Sequence, residues 1–344
     1  MTYGISSAPY LATRCLQQLA EDESKDFSLA PETLTNNFYM DDALCGANAI
    51  EYALRLRQEL IALLGRGRFH LRKFCASYPS ILEVVPPSSR EIEVPIGLDS
   101  NEGIKTLGLL WHPLSEQFLI SKARCVQKLQ EPKNSPVSKC IISFIVTATF
   151  DPLVLIIPVV VAYKIFLQQL WLHKRDWGDQ LPSELLNQWM DMYFHLSQVN
   201  EITVDRSVLA KPTEIQLHGF CDSNEKAYGE SLYLLFVNQQ GKVTTKLLCS
   251  ELTVAPVKKI TLPRLELCGA LLLAQLIQKT VPAVNLKIDR ILLLTDSTNV
   301  LSWLATSASK WKIFVANRVS QIQELTAGCK WRHVGSANNP ADLV

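Results

Sequence analysis

The sequence lacks the marks of several common protein classes. Its nine cysteines include no Cys-x-x-Cys pair, so their spacing fits neither a zinc site nor a dense disulfide framework. Neither sign of charge dominates, because the net charge is only +1, and any contact with nucleic acid must therefore come from local basic patches. The N-terminus has no basic stretch followed by an apolar run, which excludes a secretory signal. No Asp-Thr-Gly or Asp-Ser-Gly tripeptide is present, so an aspartic peptidase has little support.

Apolar residues, by contrast, are abundant, at 48% of the chain, while charged residues make up 19%. This balance is typical of a globular chain, and 344 residues are enough for roughly two or three domains. Polar, proline-containing sequence at 121–139 indicates a boundary, and 201–213 indicates a linker. We therefore expect three segments, at 1–120, 121–213 and 214–344.

The first segment contains a short apolar run that ends in two carboxylates, FYMDDALCG at residues 38–46. This pattern favours a strand, a turn and a second strand, and the spacing of apolar residues predicts a helix over 46–65 and a strand over 105–113. The adjacent Asp41 and Asp42 at a tight hairpin could hold a divalent cation that activates a 3′-hydroxyl. Ordinary turn chemistry is the more common reason for such a pair.

The second segment holds the most apolar stretch, residues 141–172. Its length would permit a membrane span, but Asp151-Pro152 and Pro158 interrupt it, and an unpaired Asp at mid-bilayer is costly. We predict two buried helices joined by the Asp-Pro turn, with no membrane contact, followed by an amphipathic helix over 182–200.

The third segment changes pattern. From 214 it predicts three successive strands separated by turns, then a helix from Pro263 to about Lys279, a strand, a helix from Thr298, a helix across 311–326 and a final strand. This order predicts a mixed sheet flanked by helices, and the fold class of the whole chain is α+β or α/β, with several domains.

Four carboxylates in this segment stand at strand ends or on helices. They are Asp222, Glu266, Asp296 and Asp342. Each has an ordinary explanation as a turn residue, a helix cap or a solvated position. Taken together these explanations weaken, because two of the four end strands that should be neighbours. Gly269 and Ala270 lie one turn after Glu266, so the helix can approach the sheet and aim that side chain inward.

Converging carboxylates repel one another, and bridging divalent cations would remove that repulsion. Two Mg²⁺ or Mn²⁺ ions about 4 Å apart are a known arrangement for cutting phosphodiesters. The four carboxylates thus indicate a metal-dependent nuclease.

Many motifs now occur in one order: YGISSAP, FYMDDALCGA, KTLGLLWHP, PVVVAYKIFLQQLW, FCDSNEKAYG, LPRLELCGA, LLLTDSTNVLSWL and NPADL. In these the chain resembles the Pol polyprotein of BEL/Pao-type retrotransposons over nearly its whole length. The resemblance implies a partial reverse transcriptase palm with the YMDD hairpin in 1–120, a thumb- or connection-like helical region in 121–213, and a ribonuclease H-like domain, truncated at its C-terminus, in 214–344.

The same resemblance implies roles for the acidic residues. Asp41 and Asp42 match polymerase metal ligands, and the four later carboxylates match the catalytic metal ligands of the nuclease, with Mg²⁺ or Mn²⁺ as cofactor and an RNA–DNA hybrid as substrate. The family's polymerase has an earlier Asp that this chain lacks, so we expect DNA synthesis to be lost without the missing upstream polymerase segments. Asp342 stands two residues from the chain end, where we expect it to fray.

Contact with nucleic acid would draw on basic residues late in the chain. They are Lys310, Lys312, Arg318, Lys330 and Arg332, interleaved with Trp311 and Trp331. Basic side chains neutralise phosphates, and the family's hybrid lies across this face. The alternative is that these cations are the solvated side of a helix whose aromatic and aliphatic residues at helical spacing form core.

Two classes of function remain open. The first is an enzyme fragment that cuts RNA in RNA–DNA hybrids, located in the cytoplasm, a virus-like particle or the nucleus and not secreted. The second is a catalytically inactive retroelement remnant with at most weak nucleic-acid binding. The retained carboxylates favour the first, and the missing polymerase segments favour the second.

Overall fold

The computed structural model describes residues 6–91, 103–106, 109–119, 137–148, 151, 154–174, 176–195, 202–206, 213–284 and 286–343. The chain divides into two compact units, one of Met1–Leu119 with Thr203–Arg206 and one of Ile120–Ile202 with Ser207–Val344. Most of the boundary expected at 121–139, and the short strand expected within 86–101, lie outside the described residues.

The first unit begins with three helices. They are α1 (Ala8–Asp22), α2 (Ala30–Asn36) and α3 (Ile50–Arg66). Leu56, Leu60, Leu63 and Leu64 recur at helical spacing on α3 and are buried against α1 and α2, as the apolar pattern predicts. Helix α3 confirms the helix expected over 46–65.

Between α2 and α3 lies the expected hairpin. Strands β1 (Phe38–Tyr39) and β2 (Asp42–Ala43) are antiparallel, with Tyr39 opposite Asp42. Met40 in the turn has a φ of 57°, the left-handed conformation that a two-residue hairpin turn requires. The strand–turn–strand prediction is confirmed.

A four-stranded sheet completes the first unit, in the order β3-β4-β5-β6. Its strands are β3 (Ile104–Thr106), β4 (Leu109–His112), β5 (Gln117–Leu119) and β6 (Thr203–Asp205). The single strand predicted over 105–113 was wrong, because Thr106 pairs with Leu109 and the chain reverses between them. The linker predicted at 201–213 contains β6, whose partner β5 lies far away in sequence. Local patterning cannot reveal a pairing of that kind.

The described part of the second unit begins with three helices, α4 (Lys139–Ala148), α5 (Ile157–Leu172) and α6 (Ser183–His195). The prediction of two buried helices within 141–172 is confirmed. Asp151 Oδ2 accepts a hydrogen bond from the Ile156 backbone N–H at 2.9 Å and so fixes the chain where it enters α5. Ile142, Phe166 and Trp189 meet in a shared core, with the Phe166 and Trp189 rings stacked at 5.8 Å.

A five-stranded mixed sheet follows, in the order β11-β10-β7-β8-β9. Its strands are β7 (Glu214–Ser223), β8 (Ala227–Val237), β9 (Val243–Val254), β10 (Arg290–Thr295) and β11 (Lys330–His333). Strand β10 runs parallel to β7 and β11, while β8 is antiparallel to β7 and β9. The predicted mixed sheet is confirmed.

Helices α7 (Leu262–Val284), α8 (Thr298–Leu304) and α9 (Ile313–Leu325) pack with this sheet around a core that includes Leu217, Leu232 and Leu293. Helix α7 continues past Lys279, where the sequence predicts its end. Among the described helices of at least 18 residues, α7 is apolar enough to cross a membrane by length and composition. Much of its surface, however, forms the core beneath the sheet.

Helix α5 also packs on this sheet, over β8 and β9. Val161 contacts Ala227 and Leu252, and the Gln168 Nε2 donates to the Ala255 carbonyl at 2.8 Å. Leu232 packs in the core with α7, whereas Ala227 contacts α5. The two residues are an odd number of positions apart along β8 and so point to opposite faces, which places α5 and α7 on opposite faces of the sheet.

One residue of β8 breaks the apolar pattern of the core. Glu230 is fully buried, and neither of its carboxylate oxygens has a hydrogen-bond partner among the described residues. It stands directly opposite Glu251 of β9. Burial first, and the charge of Glu251 second, raise the pKa of Glu230 well above its ordinary value. An ionised carboxylate here would be costly, so folding favours the protonated form of Glu230.

We predict that Glu230→Gln stabilises the protein at neutral pH and has little effect near pH 4.5. A carboxyl whose pKa is raised by folding contributes most stability below its unfolded pKa of 4.5, and that contribution is lost as pH rises. Glutamine has the same size and does not ionise. Thermal unfolding of both proteins across this pH range should show a gap in melting temperature that widens with pH.

The matched control for this test is Glu225→Gln, which changes an exposed glutamate in the turn between β7 and β8. It should leave the melting temperature unchanged at every pH. A gap between wild type and Glu230→Gln that stays constant with pH would show that folding does not shift the pKa of the Glu230 carboxyl.

Candidate metal and nuclease site

Two of the sequence-predicted carboxylates meet because their strands are parallel neighbours. Cys221 of β7 pairs with Thr295 of β10, and the next residue in each case is an aspartate, Asp222 and Asp296. The carboxyl ends of parallel strands share one edge of a sheet, where ligands commonly bind in open sheets of this kind. The sheet register therefore places the two side chains side by side.

The third carboxylate comes from α7, which lies unusually close to the sheet. A Cβ atom on Gly269 would stand 3.2 Å from the backbone oxygen of Asp222, tighter than most real contacts, and Ala270 beside it is fully buried. These small residues let α7 approach β7, as the sequence indicates. Glu266, one turn earlier, is thereby directed at the two aspartates.

Asp222, Glu266 and Asp296 form a compact acidic group. Each offers one carboxylate oxygen, and these three oxygens all lie within 4.8 Å of one another. Only 6% of Asp222 and 9% of Glu266 is exposed. At these separations, in a partly desolvated place, ionised carboxylates repel strongly.

The hydrogen bonds leave two oxygens of the group without partners. Asp222 Oδ1 accepts from the Ser223 backbone N–H at 2.7 Å, and Asp296 Oδ2 accepts from the Ser336 hydroxyl at 2.6 Å. Glu266 Oε2 and Asp296 Oδ1 are buried and have no partner among the described residues. Unpaired oxygens in a buried acidic group are the kind of donors that a hard divalent cation takes.

Two carboxyl groups of the acidic group have raised pKa values. Burial raises the pKa of Asp222 to about 7, with the charge of Asp296 and a hydrogen bond with Asp342 acting in the same direction. Burial, followed by the charges of Asp222 and Asp296, raises the pKa of Glu266 to about 8. Such raised values are common at sites built for a cation or for catalysis.

The fourth carboxylate, Asp342, lies beside the group. It sits on a 3-10 turn, Pro340–Leu343, is exposed, and shares a hydrogen bond with Asp222. Asn339 just before this turn is buried, and its Nδ2 donates to the Cys221 carbonyl at 3.2 Å. The hydrogen bond from Asn339 to Cys221 thus anchors the segment that carries Asp342. The expectation that Asp342 frays did not take this contact into account.

The hairpin aspartates are in a different setting. Asp41 and Asp42 are both exposed and belong to the first compact unit. Among the described residues, the set of three acidic side chains close enough to share a cation is the one at Asp222, and it does not include them.

The five predicted basic residues divide into two kinds. Four of them, Lys310, Lys312, Lys330 and Arg332, are exposed. Arg318 is half-buried, and its guanidinium stacks 3.6 Å from the centre of the Phe314 ring and donates to that residue's carbonyl. The aromatic and aliphatic positions between them pack in or against the core, which agrees with the alternative interpretation for helix α9. Val315, Val319 and Ile322 are buried in the core, while Trp311, Phe314 and Trp331 are partly buried and pack against it.

Three residues that matter at or near the site were not found from the sequence. Ser336 and Asn339 carry no signal beyond that of turn formers, and their contacts to Asp296 and Cys221 span 40 and 118 residues of chain. Glu230 could have been noticed as a charge among apolar positions of a predicted strand, but one sequence does not reveal which face it occupies.

The family models give one match. Residues 138–297 match the Pao retrotransposon-like RNaseH-like domain, a range that takes in helices α4–α6 as well as most of the five-stranded sheet. A search among curated proteins gives no match.

Solved structures give matches at low identity. The foamy viral protease-reverse transcriptase in complex with an RNA/DNA hybrid is 12% identical, over 97% of this chain and 39% of that chain, with a TM-score of 0.52. Ribonuclease H1 from the archaeon Halobacterium salinarum NRC-1 is 16% identical, over 37% of this chain and 89% of that chain, with a TM-score of 0.24. This chain thus spans well under half the length of the viral protein, and that match shows a likeness of fold.

The motif resemblance and the family match point to the same region of the same polyprotein. The match of residues 138–297 to the Pao retrotransposon-like RNaseH-like domain, with a fold like that of the viral protein, supports a retrotransposon Pol region with an RNaseH-like domain.

Proposed function

We propose that the second unit hydrolyses the RNA strand of RNA–DNA hybrids in a reaction that depends on Mg²⁺ or Mn²⁺. The observation that carries this proposal is the acidic group, in which Asp222, Glu266 and Asp296 place three oxygens within 4.8 Å of one another inside a ribonuclease H-like domain. The hybrid bound to the viral reverse transcriptase of similar fold supports the choice of substrate.

The proposed roles follow from the positions of the side chains. Asp222 and Asp296 are held by neighbouring strands, and Glu266 by a helix packed against them, so each is a rigid ligand on regular structure. Divalent cations held there would supply the activation of water and the neutralisation of charge that phosphodiester hydrolysis needs. Asp342, hydrogen-bonded to Asp222, is the proposed fourth ligand.

Substrate contact is assigned to the exposed cations. Lys310 and Lys312 precede α9, and Lys330 and Arg332 stand on the edge strand β11. Such side chains neutralise backbone phosphates without reading sequence. Arg318, stacked on Phe314, has less freedom to reach a phosphate, and we assign it a smaller share of the binding.

For the first unit we propose a remainder of the polymerase palm, with Asp41 and Asp42 as its metal ligands. No other described carboxylate joins them closely enough to share a cation. Catalysis by two cations needs ligands from several sides of a site, so we propose that DNA synthesis is lost.

A catalytically inactive remnant is the second candidate, and Glu230 is the observation that favours it. A buried carboxyl without a partner, opposite a second glutamate, destabilises a sheet whose stability the nuclease would need. The two candidates differ in whether the acidic group binds cations and cuts RNA.

We predict that Mg²⁺ raises the melting temperature more at about pH 8.5 than at about pH 6. The raised pKa values of Asp222 and Glu266 mean that their stabilising protonated forms are lost as pH rises through about 7 and 8, leaving repelling charges that a cation relieves. Thermal unfolding with and without Mg²⁺ at both pH values measures the effect. In Asp222→Asn it should shrink, and an equal Mg²⁺ effect at both pH values would contradict the assignment.

We predict that the chain cleaves the RNA strand of a labelled hybrid and that Asp222→Asn and Glu266→Gln reduce cleavage to the level without protein. Each substitution removes a proposed ligand while keeping the size of the side chain. Glu225→Gln, three residues from Asp222 and exposed, is the matched control and should cleave like wild type.

Cleavage that persists in Asp222→Asn would show that a contaminant or another site is responsible. A folded wild-type chain that does not cleave with either cation would favour the inactive remnant.

A further inference from the structure

The acidic group receives a side-chain hydroxyl donor from Ser336. Its Oγ donates to Asp296 Oδ2 at 2.6 Å, a length typical of a strong hydrogen bond to an ionised carboxylate. The other oxygen, Oδ1, is buried and has no partner. Ser336 therefore engages one oxygen of Asp296 and leaves the other free within the acidic group.

Ser336 belongs to a loop that is tied to the acidic site at both ends. We call residues 334–342 the latch. At its start the Val334 backbone N–H donates to the Thr295 carbonyl at 3.1 Å. Near its end the Asn339 Nδ2 donates to the Cys221 carbonyl at 3.2 Å. The latch is thus attached to the residue just before each of the two strand-end aspartates.

The inside of the latch is also ordered by hydrogen bonds. Asn339 Oδ1 accepts from the Ala341 N–H at 3.2 Å, and the Asp342 N–H donates to the Asn339 carbonyl at 3.0 Å. Asn339 is 5% exposed and Ala341 is fully buried. These hydrogen bonds order the loop that presents Ser336 to Asp296.

We propose that Ser336 is a positioning residue for cation binding, because its hydroxyl fixes the rotation of the Asp296 carboxylate so that Oδ1 faces Asp222 and Glu266. This inference rests on the proposed function, since it assumes that the acidic group holds a cation. Groups that hydrogen-bond to a metal ligand without touching the metal typically contribute about 10- to 100-fold to the affinity for the metal.

The rotation needs such a device because no other hydrogen bond among the described residues fixes the Asp296 carboxylate. The aspartate follows the last residue of β10, and its backbone position leaves the carboxylate free to turn about χ2. Mutual repulsion with Asp222 and Glu266 would turn the oxygens away from one another in the absence of a cation. The Ser336 hydrogen bond opposes that rotation and prepares the site before a cation arrives.

The test compares Ser336→Ala, Ser336→Thr and the control Ser302→Ala in the full chain. Ser302 is exposed, and its hydroxyl donates to the Thr298 carbonyl within α8. Ser302→Ala therefore removes the same chemical group as Ser336→Ala, but away from the acidic group. Four quantities are measured, namely the dissociation constant for Mn²⁺ by titration, the melting temperature without metal, and kcat and KM on the hybrid.

Ser336→Ala should weaken Mn²⁺ binding by about 10- to 100-fold, lower kcat at limiting Mn²⁺ and leave KM for the hybrid unchanged. Its melting temperature without metal should match that of Ser302→Ala, because the hydrogen bond acts on one exposed loop. Ser336→Thr keeps the hydroxyl and should restore binding.

Wild-type Mn²⁺ affinity in Ser336→Ala would overturn the inference while leaving the proposed function intact. A lower melting temperature with unchanged Mn²⁺ affinity would also overturn it, because the residue would then serve the fold alone. A wild-type chain that binds no Mn²⁺ would overturn both the inference and the proposed function.

Discussion

Repulsion among buried carboxylates is the constraint on which the rest of this structure depends. Asp222, Glu266 and Asp296 bring three oxygens within 4.8 Å, and burial raises the pKa of the first to about 7 and of the second to about 8. The fold sustains this arrangement with rigid parts: two parallel strands in register, a helix brought close at Gly269, and a loop bonded to both strands. An acidic group that destabilises the fold in this way at one edge of a sheet is well suited to bind a divalent cation there.

Local sequence patterns account for the part of the acidic group that could be predicted. Asp222 and Asp296 follow apolar runs, and Glu266 is followed by small residues at helical spacing, so strand ends and helix faces alone place them near one edge. The mixed sheet, the YMDD hairpin and the two helices within 141–172 follow from equally local patterns. The pairing of β6 with β5 and the contacts of Ser336 and Asn339 do not, because each joins residues 40 or more positions apart. Periodicity carries no information about such contacts.

Glu230 differs from the acidic group in how the cost of its buried carboxyl can be relieved. The acidic group has unpaired oxygens on Glu266 and Asp296 beside a strand end, whereas Glu230 is buried in the middle of β8 with neither oxygen paired among the described residues. The first arrangement is resolved by a ligand, the second only by protonation. This chain therefore combines the proposed metal-binding group with a destabilising residue in the sheet that supports it. The enzyme and the remnant therefore remain the two candidate functions.

Anomalous diffraction from crystals grown with Mn²⁺ tests the central claim most directly, because it locates the cation without depending on activity. The account predicts an anomalous peak among Asp222, Glu266 and Asp296, with carboxylate oxygens at about 2.0–2.6 Å from it. Asp296 should bind through Oδ1 while Oδ2 stays bonded to Ser336. The absence of a peak among these three side chains, at a Mn²⁺ concentration that gives peaks elsewhere in the crystal, would contradict the account.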